Sequence, residues 1–417
     1  CTIVRETHDA DLEPGQTTKV QRSYSYSHGF GREIQKKVQA EPGPVVEDGP
    51  DVSPRWVGSG WTVFNNKGKP VKKYEPFFSP TRGFEFGRSV GVSVTLLYDP
   101  VGRVVATLHP NHTWEKVVFD PWQQESWDVN DTVRVLDPRD DPDVGALFGR
   151  LAEDEFLPTW HAQRIGGVLG DVERQAAGKA AAHAETPALS FFDMLGRPFM
   201  TVAHNRFRRD GATVEEKYAT RVELDIEGNQ REVVDALGRI VMRYDYDMLG
   251  TRVHQASMEA GERWMLPDVA GNPIRRWDAV KATRTEYDEL RRPTHLYLSD
   301  DDGTAVPASE QLVERTVYGE DHPEKDERNL RGKPCLQLDG AGLVASERFD
   351  FKGNLLEGSR RLAREYRNTV DWVAVDGLDD PTAILAAVEP QLEGARLATL
   401  TRYDALNRPI QLVSPHG

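Results

Sequence analysis

Cysteine is nearly absent from this 417-residue chain. Cys1 and Cys335 stand far apart, with no CxxC and no Cys/His ligand spacing, so the sequence carries neither a disulfide framework nor a cysteine zinc site. Long apolar runs are missing too: no stretch of about 18 apolar residues exists to span a bilayer as a helix. Positive charge is in deficit, with 52 Lys and Arg against 67 Asp and Glu and a formal charge of −15. The basic residues are scattered, the densest run being Lys69-Pro70-Val71-Lys72-Lys73. Such a surface repels phosphate backbones, which makes nucleic acid a poor partner. The chain begins at Cys1, without Met or an apolar signal-like segment, and reads as a fragment or processed piece.

What is present is a short phrase that recurs: an aromatic or aliphatic residue, Asp, two variable residues, Gly, then Arg or Asn. It occurs as Tyr98-Asp99-Pro100-Val101-Gly102-Arg103, Phe192-Asp193-Met194-Leu195-Gly196-Arg197, Val234-Asp235-Ala236-Leu237-Gly238-Arg239 and Phe349-Asp350-Phe351-Lys352-Gly353-Asn354. Further copies place Asp225 with Gly228, Asp247 with Gly250, and Asp268 with Gly271. Looser ones lie at Asn65, Asp288, Asp339 and Asp404. From Asp225 to Asp288 the Asp positions are 10, 12, 21 and 20 residues apart, so a unit is about one or two strands plus turns. In each copy the residue before Asp ends a strand and points inward. Asp accepts a hydrogen bond from the backbone two residues on, and Gly takes a positive φ, so each copy is a hairpin turn.

The expected fold is dominated by β-structure, with a few short helices inserted between strand units. Residues 1–55 are rich in Gly, Pro, Glu and Asp and read as a lead-in of loop and strand, the alternating Arg22 to Ser27 being an edge-type strand. The repeat region is expected over 56–417. Helical spacing predicts an insertion at about 158–185, with Thr159 and Asp171 as N-caps and Gly166, Gly167 and Gly170 splitting it in two. Helices are also expected at about 359–366 and 380–397, the second opening on Asp380 and Pro381 and kinked at Pro390.

The Tyr-Asp-x-x-Gly-Arg phrase resembles the YD, or Rhs, repeat. Longer stretches resemble something narrower: WTVFNNKGKPVKKYEPFFS (61–79), YDPVGRVVATLHPNHTWEKVVFDPWQQESWDVNDTV (98–133), YDYDMLGTRVHQASMEAGERWML (244–266) and TRYDALNRPIQLVSPHG (401–417). These look like the B component of bacterial ABC-type (Tc) insecticidal toxin complexes. The resemblance implies a spiral β-sheet shell, a solenoid-like hollow cocoon section, closed jointly with a C component around a toxic polypeptide cargo. It implies secretion within a toxin complex, a structural role without catalysis, and no cofactor or metal. Family B components also carry an SpvB-like region and a β-propeller that docks on the A-component channel, and no stretch here matches either. Nor does any match the self-cleaving aspartyl site of the C component. A cell-surface carbohydrate-binding or adhesion module is the alternative, since YD repeats occur there too; a shell that cleaves itself or its cargo is a third reading.

Other candidate sites compete with plainer readings. His109, His112 and Glu115 have metal-ligand types at three-residue intervals, but Pro110 argues against the helix that would align them. The acidic runs Asp137 to Asp143 and Asp300 to Gly303 offer oxygen ligands for calcium, yet follow no EF-hand or β-roll pattern, and solvated loop tips account for them. Trp114, Phe119, Trp122 and Trp127 form the densest cluster of rings, suited to sugar stacking or, more simply, to core packing. Gly91 to Thr95 and Gly178 to Ala180 are incomplete nucleophile-elbow and P-loop fragments.

Overall fold

A computed structural model describes residues 1–300 and 309–415, and for Asp11 and Arg208 the backbone only. The chain divides into two compact units: Cys1–Thr2 with Arg22–Val241, and Ile3–Gln21 with Met242–Gly417.

In the first unit, strand Val20–Ser27 pairs antiparallel with Glu33–Ala40, which pairs with Arg55–Gly58, which pairs in turn with Phe77–Ser79. At residue 56, where the change from lead-in to repeat region was expected, Arg55–Gly58 is an inner strand, bonded on one side to Glu33–Ala40 and on the other to Phe77–Ser79. The change of composition at Trp56 coincides with a ring that turns inward, 3% exposed.

A second sheet of the same unit runs as a meander. Strand Thr62–Phe64 hairpins onto Pro70–Lys73, which borders Thr95–Tyr98. From there each strand pairs with the next: Val104–Leu108, Trp114–Phe119, Gln123–Trp127, Ala188–Phe192, Pro198–Arg209, Ala212–Leu224 and Gln230–Val234. Between Trp127 and Ala188 lie helices Gly145–Phe148, Trp160–Ile165 and Asp171–Ala182. Thr159 caps the second through Ala162 N, whereas Gly170, with φ of 101°, precedes the third and Asp171 is its first helical residue. Leu97, Ala106, Leu108 and Trp114 from the strands close over Val144, Phe148 and Phe156 from the insertion. Apolar side chains on a two-residue period, as at Ala106 and Leu108, are what a half-buried strand needs, and the insertion supplies their cover.

The second unit continues the same plan through Arg252–Ser257, Gly261–Pro267, Pro273–Asp278, Lys281–Tyr287, Pro293–Asp300, Gln311–Tyr318, Pro334–Asp339, Gly342–Phe349, Leu355–Leu362, Leu397–Tyr403 and Pro409–Val413. Its core joins Leu312, Leu338 and Leu343 from strands to Trp372, Ile384 and Leu392 from the segment between Leu362 and Leu397. The helix expected at 359–366 is absent. Ser359 to Leu362 finish a strand, Ser359 facing Ala345 on one side and Ala398 on the other. Backbone pairing on both flanks outweighs the modest helix propensity of that Arg-rich text. The helix expected at 380–397 spans only Pro381–Val388, with Asp380 capping Ala383 N at 2.8 Å. Pro390 lies in a separate short turn of 3-10 helix, Glu389–Gln391, because a proline nitrogen cannot continue the ladder.

An antiparallel meander puts alternate connections on opposite edges of its sheet. In the first unit the turns at Asn65, Asp99, Asp120, Asp193 and Asp225 share one edge, and the long insertion 128–187 falls on the other. In the second unit, Asp247, Asp268, Asp288, Asp350 and Asp404 share one edge, and the segment 363–396 is on the other. The two longest insertions thus lie opposite most of the regular turns, while the Asp235 and Asp339 turns share the insertion edge and the segment 319–333 shares the turn edge.

Candidate functional site

The repeated turn is the most sharply defined polar constellation in both units. At Asp99, the main chain bonds reciprocally: Asp99 N donates to Arg103 O at 3.0 Å and Gly102 N donates to Asp99 O at 3.1 Å. The pairing register slips between Leu97 and Tyr98. This is a three-residue hairpin loop closed by a bulge, whose last loop residue sits in the left-handed region: Gly102 has φ of 88°. Arg291 and Asn407 take the same place with φ of 60° and 62°, which costs a side chain more than it costs glycine.

The Asp side chain does more than sequence reasoning foresaw. Asp193 Oδ1 accepts from Leu195 N and from Arg197 N, both at 2.9 Å, and Oδ2 accepts from Arg197 Nε at 2.7 Å. Asp99, Asp235, Asp288 and Asp404 repeat all three bonds with Arg103, Arg239, Arg292 and Arg408. In Asp225, Asp268 and Asp350 an Asn amide replaces the guanidinium, as in Asn229 Nδ2 to Asp225 Oδ2 at 3.0 Å. The missed functional position is therefore the residue four after Asp. Its restriction to Arg or Asn was the available signal, since both carry a planar N–H donor that reaches back to the second carboxylate oxygen.

These bonds hold the carboxyls of Asp99, Asp193, Asp225, Asp235, Asp268, Asp288 and Asp404 below the usual carboxylate range. For Asp193 the Arg197 backbone N–H is the main cause, opposed by desolvation and reinforced by the guanidinium. For Asp404 burial pushes upward, and the Arg408 backbone N–H and side chain together outweigh it. Three accepted hydrogen bonds thus tie each such carboxylate to its own turn. At Asp247 only the two backbone bonds recur, because Thr251 stands in the fourth place.

The remaining candidates separate in space. His109 and His112 lie in a turn; His112 Nδ1 faces Pro158 O at 2.9 Å, and His109 Nε2 is 3.9 Å from Glu115. Asp137 is tied to Arg139, while Asp141 and Asp143 both clamp the ammonium of Lys116, at 2.7 and 2.6 Å. Lys116 is 4% exposed; burial pushes its pKa down, and the two carboxylates more than reverse that. Asp300 pairs with Lys281, and Asp301 to Gly303 lie outside the described residues. Among the described residues no group of three His, Cys, Asp or Glu side chains is arranged to hold a metal ion. Trp114 is buried against Phe148, Phe119 lies under Arg103, and Trp127 faces Lys116, which leaves Trp122 alone exposed. Ser93 is engaged with Lys73 N and Val94 O, and Gly178 is inside a helix.

No protein-family model matches the chain. Among curated proteins it is similar to Toxin subunit YenC2 of Yersinia entomophaga, 23% identical over 251 residues, which is 56% of this chain and 25% of that protein. Among solved structures, the TcdB2-TccC3 crystal structure aligns over 100% of this chain with a TM-score of 0.69 at 20% identity. The Photorhabdus luminescens Tc holotoxin pore does so with 0.70 at 19%. This chain spans 18% of each of those chains. Built from repeated Asp-x-x-Gly hairpins on an extended antiparallel sheet, the chain has the fold of an Rhs-repeat protein resembling the B and C components of Tc toxin complexes.

Proposed function

We propose that this chain is a wall segment of a secreted toxin complex, a B-component-like Rhs shell that surrounds and shields a toxic polypeptide before delivery. The observation that carries the reading is the repetition of one carboxylate at one turn position, each copy accepting hydrogen bonds from its own loop. A side chain that recurs in this way serves the turn, and a chain of such turns builds a wall. The alignment of the whole chain with TcdB2-TccC3 supports it. Confinement inside such a wall keeps a cargo chain away from proteases. A C-component-type Rhs subunit is the partner that would close the shell, and contact with an A-component channel would be made by other regions.

The test is co-expression of the chain with a C-component-type Rhs subunit that carries its cargo segment, followed by limited proteolysis. A cargo segment that stays intact in the complex and is digested after the complex is unfolded supports the proposal. A cargo degraded equally fast in both preparations overturns it.

A further inference from the structure

One pair of strands in the first unit outruns its neighbours. Pro198–Arg209 and Ala212–Leu224 pair with each other from Met200 and Arg221 out to Arg209 and Ala212. Ala188–Phe192 follows the first of them only as far as Val202, and Gln230–Val234 borders the second only from Arg221 onward. Beyond those points the ribbon stands as an arm, closed by Asp210 and Gly211 with φ of 52° and 81°. The outer side of its first strand is touched by the end of the helical insertion, where Arg206 Nη1 donates to Ala184 O at 2.5 Å. The outer side of its second strand, over residues 212–220, meets no strand among the described residues.

A two-stranded ribbon is marginal in water, and an unpaired edge is a template for another strand. Positive φ at both loop residues makes a two-residue hairpin, in which Arg209 and Ala212 exchange both backbone bonds. Counting by twos from there, Thr213, Glu215, Lys217 and Ala219 turn their N–H and C=O groups outward. The side chains then choose among strands. Residues 213–219 read Thr-Val-Glu-Glu-Lys-Tyr-Ala, a text that complements itself when turned end for end about Glu216. Glu215 then faces Lys217 of the other copy, Val214 faces Tyr218, and Thr213 faces Ala219, each of them twice. Opposite charges, and a β-branched residue against a ring, are favourable cross-strand pairs; Glu216 against its own copy is the unfavourable one. Tyr218 is 44% exposed, and the Lys217 ammonium has no hydrogen-bond or ion-pair partner among the described residues.

We infer that the free edge of this arm is a docking site for a second copy of the same chain, the two arms pairing antiparallel over residues 213–219 with Glu216 on the two-fold axis. Main-chain bonds from the outward groups supply the attraction, and the Glu215–Lys217 and Val214–Tyr218 pairs fix the register. Each ribbon thereby becomes half of one sheet of four strands, which removes both exposed edges at once. The inference stands on the arm alone and does not depend on what the wall encloses.

The experiment uses the full chain. Sedimentation of the unaltered protein should show a reversible dimer, and Lys217→Glu, which sets Glu against Glu at two places, should weaken it by about tenfold or more. Cross-linking reads the register. With the exposed Cys1 changed to Ser and Cys335 buried, Glu216→Cys sets two thiols opposite each other at a pair without main-chain bonds, where the Cα separation of about 4.5 Å is within disulfide reach. Thr213→Cys keeps every charged pair but faces Ala219, so its thiols are out of reach of each other. In a glutathione disulfide buffer the Glu216→Cys chain should form a covalent dimer at least about tenfold faster than the Thr213→Cys chain. A chain that stays monomeric up to about 100 μM, a dimer indifferent to Lys217→Glu, or equal cross-linking at positions 213 and 216 overturns the inference.

Discussion

The two edges of each sheet solve the same problem with opposite means. On the turn edge, three-residue loops repeat one polar design and, the buried Asp404 loop apart, leave their tips outside. On the other edge, long insertions fold back and bury large apolar side chains: Phe148 and Phe156 in the first unit, Trp372 and Ile384 in the second. The difference teaches where stability resides. Insertions supply the apolar cover that a single sheet lacks, whereas the turns fix register and hand the chain to the next strand. Local polar geometry is thus repeated where it is cheap to repeat, and bulk burial is concentrated in a few places.

This contrast predicts graded effects. Trp372 is fully buried and its indole N–H donates to Asp339 O at 3.1 Å, so Trp372→Ala should cost about 3–5 kcal/mol in urea unfolding. A loss below about 1 kcal/mol would mean that the insertion is not a core element. On the turn edge, Asp404→Ala removes the acceptor of four bonds at a buried loop and should cost about 1–3 kcal/mol. A cost as large as that of the indole would erase the distinction between the edges. Gly238 has φ of 78° with open space around its Cα. Gly238→Ala should therefore cost about 1–2 kcal/mol through backbone strain alone, and Gly238→Asn should recover most of it, as Asn407 already occupies the equivalent place.

The smallest effect is on pH dependence. The carboxyls of Asp193, Asp235, Asp288 and Asp404 are held below their ordinary value in the folded chain by the bonds of their turns. A carboxyl whose folded pKa is depressed contributes stability that is present above its unfolded pKa and lost as pH falls through the folded one. Stability should accordingly hold from neutral pH down to about 4 and decline below it. The Asp404→Ala chain should decline less steeply over the same interval, measured by urea midpoints at successive pH. Identical slopes in the two chains would show that Asp404 does not contribute to the acid limb.

The turn edge was legible in the sequence because its rules are local. Asp with Gly three residues on, in a β-prone setting, specifies one loop, and the acceptance of the backbone N–H two residues on was readable from Asp alone. The bond from Arg197 Nε to Asp193 was not deduced, although the fourth position displayed the restriction. The insertion edge was legible only in part. Trp160 to Ala182 carried helical periodicity, but Val144, Phe148 and Phe156 belong to a loop-like text whose burial depends on strands tens of residues away. Ser359 to Leu362 misled for the same reason: pairing with Ala345 and Ala398 is invisible to any local window.

The spacing of the turns has a consequence for how such a chain can lengthen. Because connections alternate between edges, a duplicated block keeps its loops on their own side only if it contains an even number of strands. Asp247, Asp268 and Asp288, at intervals of 21 and 20 residues, are copies of that two-strand quantum. Asp235, lying 10 residues from Asp225, and Asp339 are the exceptions that sit across the sheet. A single added strand would send every later insertion to the wrong side, so growth and deletion in this architecture proceed by pairs.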